Sequence, residues 1–379
     1  MGGGSGGHVT PLVAVVKEIN KFQKKADIRV WCDRSFRDQT KTILEKADLD
    51  LKVEVISAGK LRRYHHLKFF QHLTIPSIVL NNLADVVKIG VGLIQSIVKM
   101  IVWRPDVVFA KGGFVCLPVG WAAALLRIPV VIHDSDAHPG LTSRLLSKRA
   151  HSIATGSPLE YYHYDKSKAQ YTGIPIATSF KKYSESQKSS AKKSLGFKAS
   201  KPLGGVTGGG LGALRINNAI ADSLTELTKV CSVMLLSGAG QYESLRAKLG
   251  SNTDDFQLHA FVSSGMPDVF GAADIVVARA GATSLAELAA AGSSVVLVPN
   301  AQLTGGHQLK NAVVYEDSKA AVVIDDLSLE TDSRPLIDAI LELVANEPRR
   351  KELSKNIQQF AKSNAANDVA DLVVLAVKN

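Results

Sequence analysis

The sequence predicts an α/β protein of two domains, each a parallel sheet covered by helices, with the two domains facing a central cleft. Three features predict it: a length of 379 residues, short β-branched apolar runs alternating with longer helical patterns, and a glycine-rich loop near the start of each half. The length exceeds what one compact core usually organises and lets each half bury its own. Hydrophobic residues make up 46% and charged residues 21%, which excludes a disordered or fibrous chain. The runs Asp106-Val107-Val108-Phe109-Ala110, Pro129-Val130-Val131-Ile132-His133, Asp274-Ile275-Val276-Val277-Ala278 and Ser294-Val295-Val296-Leu297-Val298-Pro299 lack the in–out alternation of half-exposed strands. They read as strands buried on both faces, the mark of parallel sheets between helices.

The glycine loops are Gly2-Gly3-Gly4-Ser5-Gly6-Gly7-His8 and Gly208-Gly209-Gly210-Leu211-Gly212, and their pairing suggests two Rossmann-like folds that bind ligand at their facing edges. Residues 178–201 are rich in Lys, Ser and Gln and are expected as a linker between a domain at 1–177 and another at 202–379. Pro348 to Lys378 holds two helical patterns without a strand, so these helices are expected to pack back across the junction.

The three cysteines, Cys32, Cys116 and Cys231, are widely spaced in apolar runs and read as reduced, buried thiols in a cytoplasmic protein. Met1-Gly2-Gly3-Gly4-Ser5 has neither the basic end nor the apolar stretch of a secretory signal, so export is not expected. A formal charge of +10 attracts anions: nucleic acid, an anionic bilayer or phosphorylated substrates. The longest apolar stretch, Ile78 to Trp103, is interrupted by Asn81, Asn82, Asp85, Lys88 and Lys99, and reads as an amphipathic helix rather than a membrane span.

A glycine loop that feeds a helix lets backbone approach a phosphate and presents free N–H groups to it. Gly2-x-Gly4-x-x-Gly7 fits that use, with Thr10 expected to cap the following helix and Pro11 to open its first turn. A plain turn fits as well. His8 ends the loop, where an imidazole can take a proton from an attacking hydroxyl near neutral pH, or merely bond the loop itself.

After the run ending at Ala278 comes Gly281-Ala282-Thr283-Ser284-Leu285-Ala286-Glu287. Small residues let a helix start close to a ligand, Thr283 or Ser284 can cap it, and the Glu287 carboxylate can accept two hydrogen bonds from a ribose. Alternatively Glu287 is the far half of a capping box. His307, Gln308 and Asn311 follow the next strand, where amides can read sugar hydroxyls or simply open a solvated helix.

Asp134-Ser135-Asp136 has the spacing of a carboxylate pair that holds a divalent metal on a nucleotide diphosphate. Two glycine loops already offer phosphate binding without metal, so neither metal nor other cofactor is expected. Lys60, Arg62, Arg63 and Lys68 are interleaved with Leu61, Tyr64, Leu67, Phe69, Phe70 and Leu73, and no acid lies between Glu54 and Asp85. Cations among large apolar side chains suit an anionic membrane surface, or a solvated loop whose rings turn inward. No RNA-binding signature accompanies the aromatic residues, so nucleic acid is not an expected partner.

Taken in order, these segments resemble the MurG family of lipid II-forming enzymes, glycosyltransferase family 28, along nearly the whole chain. The resembling segments are Gly3 to His8 with Pro11, Gly112-Gly113-Phe114-Val115 with Pro118, and His133 through Gly140-Leu141-Thr142. They continue through Gly208 to Gly212 with Asn217, Phe261-Val262 before Met266, Arg279 through Glu287, and His307-Gln308 with Asn311-Ala312. The resemblance implies a GT-B fold and transfer of N-acetylglucosamine from UDP-N-acetylglucosamine (UDP-GlcNAc) to the C4 hydroxyl of lipid I, with inversion and without metal, at the cytoplasmic face of the cell membrane. It implies that the second domain holds the donor. There the backbone of Val262 meets uracil, Glu287 the ribose, Gln308 and His307 the sugar, and Ala282, Thr283, Ser284, Leu285 and Gly210 line the remainder. Ser5, Gly6 and Gly7 approach the diphosphate, His8 acts as base, Gly4, Gly112, Gly113 and Phe114 form acceptor or phosphate loops, and Asp136 lies near the donor sugar.

Departures from the family bear on donor affinity more than on fold. His133-Asp134-Ser135-Asp136 stands where the family has His-Glu-Gln-Asn, Gly173-Ile174-Pro175-Ile176-Ala177 where it has Gly-Asn-Pro-Val-Arg, and Gly210-Leu211 where it has Ser-Gln. The family also carries an apolar strand before the first glycine loop, which Met1 abuts here, so either the coding sequence begins further upstream, the expected case, or the N-terminal sheet folds around a missing strand. A UDP-GlcNAc 2-epimerase or another lipid glycosyltransferase of the same architecture is the competing reading, with Asp134 and Asp136 as the epimerase's acid and base.

Overall fold

The computed structural model describes residues 1–2, 6–60, 75–210, 212–262, 265–300 and 306–378, with side chains from Val9 onward in the first helix. The chain forms two compact units, Met1–Ala177 with Lys362–Asn379, and Thr178–Ala361.

The first unit opens with a helix, Gly6–Phe22. It starts a turn earlier than the sequence suggests, so Thr10 lies inside it and is not the cap, and Pro11 is internal. A proline there supplies no N–H to the carbonyl four residues back, a deficit a first-turn proline would avoid. Next come β1 (Arg29–Cys32), the helix Arg37–Lys46 and β2 (Lys52–Val55), and then the long helix Pro76–Val102, which covers the stretch expected to be amphipathic. Strands β3 (Val108–Ala110), β4 (Val130–Asp134), β5 (Ser152–Thr155) and β6 (Ala169–Tyr171) follow, with helices Cys116–Leu125 and Leu141–Ser147 as crossovers.

All strand pairs here are parallel, but they form two sheets, β1-β2 and β3-β4-β5-β6. Met1 and Gly2 bridge them. The Met1 amine donates to Phe109 O at 2.7 Å, Lys111 N donates to Met1 O at 2.9 Å, and Gly2 N donates to Trp31 O at 3.4 Å. Two residues thus meet some of the edge groups that a full strand would otherwise satisfy. The buried Ile132, Ile153, Val119 and Met100 form the core between the larger sheet and its helices.

In the second unit, β7 (Leu203–Thr207), β8 (Ser232–Leu236), β9 (Phe256–His259), β10 (Ile275–Ala278), β11 (Val295–Leu297) and β12 (Val322–Val323) form one parallel sheet. Its order is β12-β11-β10-β7-β8-β9, so the chain winds outward from β7 in both directions. That reversal leaves a crevice between β7 and β10 at their carboxyl ends, where such sheets bind nucleotides. Every residue of β8, β10 and β11 is buried, as runs without alternation require.

Residues 178–201, expected as a linker, belong to this unit and hold the helix Glu185–Ser194. A capping box explains why so polar a segment folds: the Ser184 hydroxyl accepts from Gln187 N and the Gln187 side chain accepts from Ser184 N. The last helix, Ala365–Lys378, returns to the first unit, where Val369, Ala370, Val373 and Ala376 pack on Val15, Val131 and Ala154. All three cysteines are buried and free.

Candidate functional site

The carboxyl edge of the second sheet gathers most of the residues expected at the donor. After β7, Gly208 and Gly212 are fixed by space: a Cβ would meet Ala213 N at 2.3 Å and Ser237 O at 2.2 Å respectively. Gly210 has nothing within 4 Å of where its Cβ would stand, which leaves room for a ligand. Asn217, also quoted in the resemblance, is a brace: its amide donates to Ser237 O at 2.9 Å and Gln241 Oε1 at 2.7 Å.

After β10 the helix Ala282–Ala291 begins at Gly281, with no side-chain cap bond and no acid in its first turn. Thr283 and Ser284 are therefore not the cap but lie within the first turn, and Glu287, six residues in, is too far along to close a capping box. Gly281 brings the helix start to the sheet edge without a side chain in front of it, an arrangement suited to an anion. Leu285 offers nothing to a ligand, because its side chain is buried and its N–H bonds Gly281 O at 2.9 Å.

Glu287 is half-buried and has no hydrogen-bond or ion-pair partner among the described residues. Desolvation pushes its carboxyl up to about 7. A carboxylate in that position gains from hydroxyl donors. The Gln308 side-chain carbonyl accepts from Asn300 N at 2.8 Å, which ties the start of the helix His307–Asp317 to the residues just after β11. Asn311 donates to Ala280 O at 3.1 Å and ties the helix His307–Asp317 to the loop before Glu287. His307 opens that helix. Val262 lies beyond the end of β9, three strands from β10.

Beneath these loops is a charge network the sequence did not disclose. Asp326, fully buried, accepts from Arg279 Nη1 at 2.5 Å and Arg215 Nη1 at 2.8 Å, and Arg279 also donates to Val298 O at 2.9 Å. One carboxylate thus ties the ends of β10 and β11 to the segment after β12.

In the first unit, Gly112 and Gly113 follow β3 with φ of 119° and 88°, a backbone that favours glycine, and Phe114 is half-buried beside them. Asp134, at the end of β4, is buried and accepts from Tyr164 OH at 2.7 Å, while Asp136 is half-buried and its carbonyl accepts from Tyr162 OH at 2.8 Å. Burial raises the Asp134 carboxyl to about 7, the nearby Asp136 charge adding to it. Lys111, only 1% exposed, donates to Ser135 Oγ at 2.5 Å, and burial lowers its ammonium to about 8 against the pull of Asp134 and Asp136. The sequence signal was a lone lysine at the end of an apolar strand, before Gly112.

Gly6 and Gly7 are the first two residues of the helix Gly6–Phe22 and His8 the third; the His8 side chain, Gly4 and Ser5 lie outside the described residues. So do Arg62, Arg63, Phe69 and Phe70. Directly after that stretch, the helix Pro76–Val102 exposes Leu80, Leu83, Val87, Val91, Ile94, Val98 and Ile101. They recur every three or four residues, so they form one apolar stripe along its outer face. Its inner face buries Ile78, Ile89 and Met100. Among the described residues no helix is long and apolar enough to cross a membrane.

The model of the glycosyltransferase family 28 N-terminal domain matches residues 1–155, and that of the family 28 C-terminal domain matches residues 205–371. Over 378 residues the chain is 32% identical to a UDP-N-acetylglucosamine--N-acetylmuramyl-(pentapeptide) pyrophosphoryl-undecaprenol N-acetylglucosamine transferase of Thermoanaerobacter sp. (strain X514), covering 98% of this chain and 97% of the relative. A protein of the same name from Legionella pneumophila (strain Paris) is 34% identical over 369 residues, 97% of this chain and 93% of the relative. Among solved structures, Acinetobacter baumannii MurG matches with a TM-score of 0.73 at 24% identity, over 98% of this chain and 97% of that one. UDP-GlcNAc 2-epimerase from Neisseria meningitidis bound to UDP-GlcNAc matches with a TM-score of 0.63 at 13% identity, over 100% and 98%, a likeness of fold alone.

Proposed function

We propose, for a chain that belongs to glycosyltransferase family 28 with the GT-B fold, how its two units divide one reaction. The chain is a glycosyltransferase that moves N-acetylglucosamine from UDP-GlcNAc onto lipid I to give lipid II. The second unit holds the donor. Glu287 accepts hydrogen bonds from both ribose hydroxyls, the Val262 backbone meets uracil, Gln308 meets the sugar, and the start of the helix Ala282–Ala291 faces the diphosphate. The observation that carries this reading is Glu287, a half-buried carboxylate without a partner among the described residues, one and a half turns inside an acid-free helix start at the crevice of the sheet.

The acceptor C4 oxygen bonds to the anomeric carbon as the bond from that carbon to the UDP oxygen breaks, with inversion, and His8 takes the acceptor's proton. Negative charge on departing UDP is stabilised by backbone N–H groups and the helix dipole, without metal. One Asp134 oxygen accepts from Tyr164 OH, and the buried Lys111 nearby already supplies positive charge, surroundings that suit a divalent cation poorly.

The protein works at an anionic membrane surface, on its cytoplasmic face, with nucleic acid no partner. The apolar stripe of the helix Pro76–Val102 supports this reading, since it rests directly after the Lys- and Arg-bearing stretch and faces outward.

Transfer of labelled N-acetylglucosamine to a lipid I analogue by the purified chain tests the whole. His8→Ala is expected to lower kcat by roughly 10²–10⁴-fold with donor binding unchanged, and a metal chelator to leave turnover intact. Normal turnover in His8→Ala removes the base, and collapse under chelation removes the metal-free route.

A further inference from the structure

At the opposite, amino edge of the second unit's sheet, a cavity of about 550 Å³ opens where β7, β10 and β11 begin, lined by Pro202, Asp274 and Ser294 at their starts. Its volume is that of sites for small ligands. Strands rise about 3.3 Å per residue, so the five residues of β7 separate this edge from the donor loops by roughly 15 Å.

The lining carries six cationic side chains against three carboxylates. Asp274 is already saturated: Lys188 and Lys192 reach it at 2.7 and 2.6 Å, and Leu203 N donates to it at 2.7 Å. Two ammonium groups on one carboxylate leave a positive charge over. Lys182 donates to the neutral Gln358 amide at 2.9 Å, and Arg350 to the backbone carbonyls of Leu343 and Val344. Neither of those hydrogen-bond sets cancels charge.

Ser293 and Ser294 add a second, independent sign. Each is 4% exposed, both line the cavity, and neither hydroxyl oxygen has a hydrogen-bond partner among the described residues. Leaving a buried hydroxyl unmet costs on the order of 1–3 kcal/mol, which an incoming acceptor recovers. The hydroxyls turn about a single bond, and the backbone that carries them is fixed, since Ser293 N donates to Leu288 O at 3.1 Å and Val276 N to Ser294 O at 2.8 Å.

We propose that this cavity binds a soluble, phosphate-bearing small anion, held by Lys182, Lys188 and Arg350 together with the hydroxyls of Ser293 and Ser294. Ammonium, guanidinium and hydroxyl donors arriving from separate elements match an acceptor with several oxygens and more than one negative charge. The site is separate from the donor crevice and independent of the reading of Glu287.

The test is equilibrium dialysis of labelled pyrophosphate against the full chain saturated with UDP, so that the donor crevice is filled. One equivalent is expected to bind, weakened as ionic strength rises. Replacing both hydroxyls, Ser293→Ala with Ser294→Ala, is expected to weaken it about tenfold or more, and the exposed Lys182→Ala to weaken it likewise without touching the core. Thermal unfolding checks the fold of each variant, and Lys182→Ala decides if the double variant does not fold. No binding to UDP-saturated protein, or unchanged affinity in Lys182→Ala, overturns the proposal. Capture of phosphatidylglycerol vesicles that pyrophosphate competes away and Lys182→Ala abolishes would assign the cavity to a lipid headgroup and overturn a soluble ligand.

Discussion

Glu287→Gln tests the donor site through a proton. In the empty site the Glu287 carboxyl sits at about 7 because it is desolvated, and its ionised form, with two charged oxygens, is much the stronger acceptor for the two ribose hydroxyls. Ligand binding therefore draws on the ionised fraction, and the apparent Kd for UDP-GlcNAc, whose diphosphate is capped by the sugar and does not titrate near neutral pH, rises as pH falls below about 7. One pH unit below, only about a tenth of the sites are ionised, so affinity at pH 6 is expected to be roughly tenfold weaker than its limit at high pH. At pH 8 the loss is about a tenth, and at pH 7 binding releases about half a proton per UDP-GlcNAc. Titration calorimetry in two buffers of different ionisation enthalpy reads both quantities. Glu287→Gln keeps the shape, removes the titration, and loses hydrogen bonds to a charged acceptor, expected to cost about 1.5–3 kcal/mol of UDP binding. The ligand-free variant should be no less stable than the wild type at pH 8, since it replaces a desolvated charge with a neutral amide. Equal wild-type affinity at pH 6 and 8, or a pH dependence that survives in Glu287→Gln, refutes the ribose role.

Asp326→Asn leaves Arg279 and Arg215 facing a neutral amide, and urea denaturation should show a loss of about 3–5 kcal/mol; a loss below 1 kcal/mol would mean that the network does not brace the sheet edge. For Lys111, the native pKa of about 8 lies below the unfolded value of 10.5, so between these the unfolded chain binds more protons and stability rises with pH. The stability difference between wild type and Lys111→Met should therefore shift in favour of the wild type from pH 8 to 10, and a flat difference counts against a buried ammonium. Leu83→Asp with Ile94→Asp, both on the exposed stripe, should abolish cosedimentation with phosphatidylglycerol vesicles while transfer to a water-soluble lipid I analogue persists; retained vesicle binding would move the membrane contact elsewhere.

How much was legible in the sequence follows from where the information resides. The strands β3, β4, β10 and β11 were visible because burial on both faces demands unbroken β-branched runs. β2, Lys52–Val55, alternates charge with valine and is only half-buried, so nothing in its composition set it apart. The helix Glu185–Ser194 reads as linker in the sequence because its buried positions are Ala191 and the Lys192 stem, too small a signal for periodicity, whereas its capping box is written plainly in Ser184 and Gln187. Glu287 was readable because its neighbours in sequence build its surroundings. Asp326 was not, because its partners stand 47 and 111 residues away and only the winding of the sheet brings them together.

The same distinction applies at His133-Asp134-Ser135-Asp136, where the chain departs from the family pattern. Read along the sequence, two carboxylates there look like an acid–base pair or a metal clasp. In the fold they share their surroundings with Lys111, whose ammonium is pulled upward by both and is bonded to the serine between them. A lone buried ammonium at the end of β3 would cost several kcal/mol, as would an added carboxylate at the end of β4. Together they neutralise part of each other's charge, and Tyr164 satisfies an oxygen of Asp134. The carboxylates and the lysine therefore form one coupled group: neutralising Lys111 alone raises the Asp134 carboxyl further, and replacing Asp134 alone lowers Lys111 further, so each single variant should be less stable near neutral pH than the sum of its lost contacts, and the double variant less impaired than the two singles added.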